Sequence, residues 1–449
     1  MQLTRRHFFL GSLAPLAFGQ KRRAEQQPNI LLVVADGLPA WMLGAYGNRE
    51  VRTPNLDRLA QTGTLFLNNF ASAPCGSPSF ATLLTGRTPM QHGIQDSLTG
   101  AAAPPPAFND EIMISSVLAG QQYTCGFVGY WNLGSADKPQ HGFQFWYTVA
   151  DPLSYQNPKM YRNGEMAQEN GYLGALITVQ AGDFLNRQSA AKPFFLTVSY
   201  PNPRPPYEGH PQTDYDLYAK ASFGTFIWEP PAGNATQYKE LLGDVVPSLR
   251  KASAATTALD DQLPGLLSPL RQRGLYDNTL IIFCSTHGWL LGRHGLWSDG
   301  QSSDPVNMYE EVVQAPLFWS WPGRVPAQAT RPEVVSLYDL MPTLCDLAGV
   351  DAPERNLCGR SYLPLATGKP LPKKQPWRNV VYGHYRNADM IRDKNYKVVL
   401  RDGGKGPNDL YALGPDPHEK VNQYDNPQFI ASRGPLEAAL LKWKQKYSA

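Results

Sequence analysis

Cysteine is scarce and scattered. The five are Cys75, Cys125, Cys284, Cys345 and Cys358. An odd, sparse set with no C-x-x-C pair excludes a disulfide framework and offers no zinc-site spacing. No stretch approaches the roughly 20 consecutive apolar residues that a membrane span needs. A Lys/Arg stripe with interleaved aromatics is missing as well. The formal charge is only +3, and five basic residues, Arg5, Arg6, Lys21, Arg22 and Arg23, precede residue 24. Without them the remainder carries about −2, so nucleic acid is not the expected partner. Internal repeats and low-complexity tracts are also absent.

What is present is a large apolar inventory. Of 449 residues, 42% are hydrophobic and 18% charged, enough to bury a sizeable core. The length fits two or three domains, or one large α/β domain with a small appendage. Glycine (39) and proline (40) are plentiful, which favours the long, shaped loops that carry sites in α/β proteins. The N-terminus reads MQLTRRHFFLGSLAPLAFGQKRRAEQQP. A twin arginine before a short apolar run resembles a twin-arginine export signal over residues 1–27. That predicts a protein exported by this route, periplasmic or extracellular.

Residues 28–370 predict the main domain. PNILLVVADG is an apolar run that ends at Asp36, as a buried parallel strand does. In RTPNLDRLAQTGTLF, Thr53 is placed to cap a helix, Pro54 stands at its first position, and Gly63 is placed to end it. EIMISSVLAGQQYTCGFVGYW, GYLGALITVQAGDFLNRQ with KPFFLTVSY, and ATTALDDQLPGLLSPLRQRGLYDNTLIIFCSTHG each read as a helix followed by a strand, the last with one long helix. Alternating helices and apolar strands predict an α/β fold, a large, mainly parallel sheet flanked by helices, with the site on loops at the strand C-termini. Residues 371–449 change texture. Short strands with hairpin spacing and a final amphipathic helix predict a small C-terminal antiparallel subdomain.

The blocks TPNLDRLAQTG, LLTGRTP, QRGLYDNTLIIF, HGLWSDG, YEEVVQAPLFWSWPG, VSLYDLMPTLCDLAGV and GRSYLPL occur in one order. In that order the chain resembles the sulfatase family, with its alkaline-phosphatase-like fold, from about Pro28 to near the C-terminus. The resemblance implies sulfuric ester hydrolysis by a formylglycine made from Cys or Ser in a C/S-x-P-S-R signature. It also implies a calcium ion held by an Asp pair after the first strand and by an Asp plus Asn or His further on. Lysines and histidines would bind the sulfate. Such chemistry needs carboxylates around a hard dication and cationic donors on the transferring group.

Aligned on that pattern, this chain departs from it at most positions. Gly76 stands at the nucleophile position in CGSPSFATLLTGR, and Phe80 replaces the Arg. Asp36 matches the first metal carboxylate and His287 the last ligand, but Gly37 and Thr286 replace the other two acids. Tyr130 stands for a Lys, Asn132 and Arg204 for histidines, Arg293 for an Asp, and Asp299 for a Lys. Asp36 and His287 together supply one negative charge, too little for tight calcium binding. No cofactor is therefore expected, with Ca2+ only if the family site survives in part. The remaining candidates form an anion site at the start of the helix after Gly76, with Arg204, Arg293 and His287 as donors and Tyr130, Trp131, Trp289 and Trp297 as aromatic walls. Three readings follow. The first is an exported binding protein for a sulfated or acidic saccharide, its catalytic centre dismantled. The second is an ester hydrolase that uses Cys75 or Ser77 as nucleophile. The third is a non-catalytic partner subunit of an active sulfatase.

Overall fold

The computed structural model describes residues 27–98, 102–372 and 375–448. The expected export signal, up to residue 26, lies outside the described residues. A ten-stranded sheet forms the body. Its strands in chain order are β1 (Asn29–Asp36), β2 (Thr64–Phe70), β3 (Thr124–Gly129), β4 (Phe145–Val149), β5 (Lys159–Arg162), β6 (Glu165–Gln168), β7 (Phe194–Pro203), β8 (Thr279–Ser285), β9 (Leu317–Ser320) and β10 (Ala329–Ser336). They lie in the order β10-β2-β9-β8-β1-β7-β3-β4-β5-β6. The centre, β8-β1-β7-β3-β4, is parallel. The β9 strand and the β5-β6 hairpin run antiparallel, so the sheet is mixed at its flanks.

All eight residues of β1 are buried. Alternate residues feed two different cores, Leu31, Val33 and Ala35 on one face and Ile30, Leu32 and Val34 on the other. This two-sided burial explains why the strand reads as a continuous apolar run rather than an alternating one. Four further strands, β11 (Val381–Tyr385), β12 (Ala388–Arg392), β13 (Tyr396–Arg401) and β14 (Asp409–Ala412), form the small antiparallel sheet. The C-terminal helix Ile430–Tyr447 packs on it through Leu436, Leu440 and Trp443.

Ion pairs populate the seam between the two sheets. The fully buried Lys397 Nζ donates to the Met308 carbonyl at 2.7 Å and lies 3.3 Å from Glu310 and 2.5 Å from Glu419. Burial pushes the Glu419 carboxyl up to about 8, although Lys397 opposes the shift. Glu311 accepts from Arg293 at 3.1 Å, and His294 and His418 lie 3.4 and 3.5 Å from it. Burial opposes the Glu311 charge, but the two histidines and Arg293 hold it well below the usual carboxylate range.

Three local expectations need correction. Thr53 makes no side-chain cap; its hydroxyl accepts from Gly44 N–H and donates to Asp57. Gly63 follows the helix end, but what makes it glycine is the neighbouring strand: a Cβ there would lie 1.7 Å from the Trp319 carbonyl oxygen. The single long helix before β8 is two, Val245–Asp260 and Leu263–Gln272. Pro264 sits in the first turn of the second, where its missing N–H costs nothing.

Candidate functional site

The site assembles where β1, β7 and β8 end side by side. Asp36 is the last residue of β1. The β1–β7 register slips after Ala35, so that Asp36 faces Pro203. That slip sets the next residue, Arg204, beside Asp36. On the other side, the Ser285 hydroxyl bridges the ends of β1 and β8, accepting from Leu38 N–H at 2.9 Å and donating to the His287 carbonyl at 2.7 Å. Thr286 and His287 are thereby aimed at the same carboxylate.

Asp36 is 2% exposed, and both of its oxygens are engaged. Oδ1 accepts from the Thr286 hydroxyl at 2.8 Å, and Oδ2 accepts from Arg204 Nη1 at 2.9 Å. His287 Nδ1 is 3.9 Å from Oδ1. Arg204 also donates to the Tyr130 hydroxyl at 3.1 Å and lies over the Tyr130 ring. Burial works against its charge, yet Tyr130 and Asp36 hold the guanidinium above its ordinary value. Burial raises the Tyr130 phenol, with Arg204 opposing. A single guanidinium thus neutralises the carboxylate that sequence alignment assigns to a dication.

The helix Gly76–Thr85 starts against this cluster with all ten residues buried. A Cβ built on Gly76 would lie 2.8 Å from Asp36 Oδ1 and 2.6 Å from Asn132 Nδ2. Of the three consecutive residues Cys75, Gly76 and Ser77, it is therefore the glycine whose missing side chain would enter the site. Cys75 packs instead with Phe70, Met308 and Tyr385. Its thiol lies 3.2 Å from the Ser97 hydroxyl and 3.1 Å from the Gln301 amide, and burial raises it far from thiolate formation. The Ser77 hydroxyl donates to Asn132 at 3.0 Å and accepts from Leu98 N–H at 2.9 Å. Neither has a basic partner of the kind that activates a nucleophile.

Calcium does not fit the residues present. A Cβ on Gly37, in a left-handed conformation at φ +78°, would meet the Trp289 ring at 2.6 Å. The volume that a second acidic side chain would need is filled by indole. Both Asp36 oxygens already have partners, one of them cationic. Among the described residues, no group of three or more His, Cys, Asp or Glu side chains is arranged to hold a metal ion.

Other expected site residues disperse. Trp131, 1% exposed, belongs to an aromatic core with Phe80, Phe127, Phe143 and Trp146, so it is a packing residue rather than a ligand wall. Phe80, at the expected Arg position, is its edge-on partner at 5.9 Å. Arg293 does not pair with Arg204: it binds Glu311 and lies 4.2 Å over the Trp41 ring. Trp297 is buried with its indole N–H donated to Tyr207. Asp299, read only as a departure from the pattern, is placed by the structure 3.5 Å from His287 Nε2. Three buried nitrogens on the residues named above have no hydrogen-bond partner: Arg204 Nε, His287 Nε2 and Trp289 Nε1. Two of them, on Arg204 and Trp289, are obligate N–H donors.

Comparison with known proteins agrees with this architecture. The Sulfatase family model matches residues 28–350, and a model described as N-sulphoglucosamine sulphohydrolase, C-terminal, matches residues 294–446. An N-acetylglucosamine-6-O-sulfatase of Bacteroides thetaiotaomicron is 26% identical over 97% of this chain and 89% of its own. An N-acetylgalactosamine-6-sulfatase of Mus musculus is 30% identical over 79% of this chain and 68% of its own. A solved structure described as bound to its substrate D-glucosamine-2-N,6-O-disulfate superposes with a TM-score of 0.80 at 22% identity, covering 94% of this chain and 98% of that one. At that identity the likeness concerns the fold.

Proposed function

The chain belongs to the sulfatase family, and from that premise we propose that it is a non-hydrolytic member that recognises a sulfated saccharide. One observation carries the reading: the Arg204 guanidinium sits on Asp36, beside a Gly76 that offers no nucleophile. Ester hydrolysis draws on nucleophile, cation and acid/base groups acting as a unit, so losing one costs nearly as much as losing all. Here several are replaced together. Recognition makes a smaller demand, namely donors for an oxyanion. The unpartnered Arg204 N–H is such a donor, since a buried donor without an acceptor is costly until a ligand satisfies it. The relatives named for 6-sulfated N-acetylhexosamines supply the ligand class.

The decisive assay is hydrolysis of an aryl sulfate and an aryl phosphate by the purified protein, with a denatured control. No turnover of either is expected. Turnover that Cys75→Ala or Ser77→Ala abolishes overturns the reading. In parallel, a sulfated N-acetylhexosamine is expected to bind weakly and salt-dependently, and Arg204→Gln to weaken it. We further propose export through the twin-arginine route. Arg5→Lys with Arg6→Lys is expected to leave the precursor inside the cell, and unchanged export refutes the assignment.

A further inference from the structure

A second place combines cations, aromatic rings and unmet donors, and it is remote from Asp36. A groove of about 300 Å³ opens between the C-terminal helix and the segment after β10. Tyr338 lines it, and the Tyr338 carbonyl lies 3.4 Å from a Cβ built on Gly86. Gly86 caps the far end of the helix that begins at Gly76. Ten residues of helix, about 15 Å, therefore separate this groove from the Asp36 cluster.

Its chemistry is one-sided. Arg378, Lys442 and Lys446 line it, and no Asp or Glu does. Asp339 stands behind Arg378 and accepts from both of its terminal nitrogens, fixing the guanidinium while leaving its Nε without a partner. Lys442 and Lys446 are exposed, and neither has an ion-pair partner among the described residues. Trp443 is 6% exposed, yet its indole N–H also lacks an acceptor. Trp443 stacks on Tyr382 at 5.0 Å with the ring planes 4° apart. Three cations and an aromatic pair along one groove suit a ligand that offers acceptor oxygens and an apolar face together. The volume lies at the small end of ligand pockets, roughly 300–1,000 Å³, and exceeds what a bare oxyanion fills.

We propose that this groove is a second binding site, for one sugar residue bearing a sulfate or carboxylate. The anionic group lies between Lys442, Lys446 and Arg378, and the ring lies against the Tyr382–Trp443 pair. The site stands on its own contacts and does not depend on how the Asp36 cluster functions.

The test is calorimetric titration of the full chain with N-acetylglucosamine 6-sulfate, with N-acetylglucosamine and inorganic sulfate as separate arms. The sulfated sugar is expected to bind more tightly than either arm. The exposed pair Lys442→Gln/Lys446→Gln is expected to weaken it roughly tenfold. Arg204→Gln is expected to leave this binding component intact. The proposal falls if the lysine double variant binds like the parent, or if no probe binds the parent. It falls equally if inorganic sulfate binds as tightly as the sulfated sugar, because the groove is then a bare oxyanion site. Loss of all binding in Arg204→Gln alone also overturns it, and assigns the ligand to the Asp36 cluster instead.

Discussion

Arg204 and Lys397 are both cations held against buried carboxylates, but the two surroundings differ. Lys397 is entirely enclosed in the seam between the sheets, with Glu310, Glu419 and the Met308 carbonyl around one ammonium. Arg204 is 28% exposed at its side chain and faces a single carboxylate that also keeps a Thr286 hydrogen bond. The seam is a closed structural ion cluster, where removing one member strands the others in a low-dielectric interior. The Asp36 cluster sits where β1, β7 and β8 end side by side, and there a single, partly exposed guanidinium faces the carboxylate. Enclosure, rather than the presence of charge, separates a joint from a site.

The largest expected effect tests that contrast directly. Lys397→Met is expected to cost about 3–5 kcal/mol, the usual result of breaking a buried pair. Arg204→Met is expected to cost about 1–3 kcal/mol, because Thr286 still serves Asp36. Urea unfolding midpoints of the two variants decide; equal losses make Arg204 a structural clamp of the same kind as Lys397.

Gly76→Cys comes next. Its Cβ would press on Asp36 and Asn132, so a loss of about 1–3 kcal/mol is expected from overpacking, with no hydrolysis gained. A stable Gly76→Cys protein that cleaves an aryl sulfate would mean that the rim still holds a working centre.

Smaller per pH unit is a titration effect in the seam. The folded carboxyl of Glu419 is raised to about 8, above its unfolded value of about 4.5. Between these values the folded chain holds a proton that the unfolded chain has released. Stability from this group is therefore full below about pH 4.5 and falls as pH rises toward 8, by at most about 1.4 kcal/mol per pH unit. Glu419→Gln is expected to flatten that slope in melting curves taken from pH 5 to 8, and Arg204→Gln to leave it alone. The least effect is expected from calcium: millimolar calcium or a chelator is expected to move the melting temperature by under about 1 °C, since only binding to the native state stabilises it.

The apolar strands were legible because two-sided burial writes itself into consecutive residues, as in LLVVA of β1. That Gly76 borders Asp36 is consistent with the register set by the block from Pro78 to Arg87. Arg204 at Asp36 was not legible, because it depends on a one-strand register slip after Ala35 that no local pattern announces. The place of Arg293 is hidden for a related reason: its partners Glu311 and Trp41 lie 18 and about 250 positions away and share no local pattern with it. Trp131 reads as a ligand wall in sequence because a tryptophan carries no mark of which side of a strand end it occupies. The helix break before β8 did leave a signal. Pro264 is better suited to the first turn of a new helix than to the interior of a long one.

The Trp289 ring that fills the space beside Gly37 has a historical meaning. An acidic residue at position 37 would meet the indole and a left-handed backbone, a side chain at 76 would meet Asp36 and Asn132, and an arginine at 80 would enter the aromatic core around Trp131. Each of these three replacements, taken alone, is opposed by the packing already present. A lineage drifting one substitution at a time is then held where it stands, and the arrangement behaves as a ratchet.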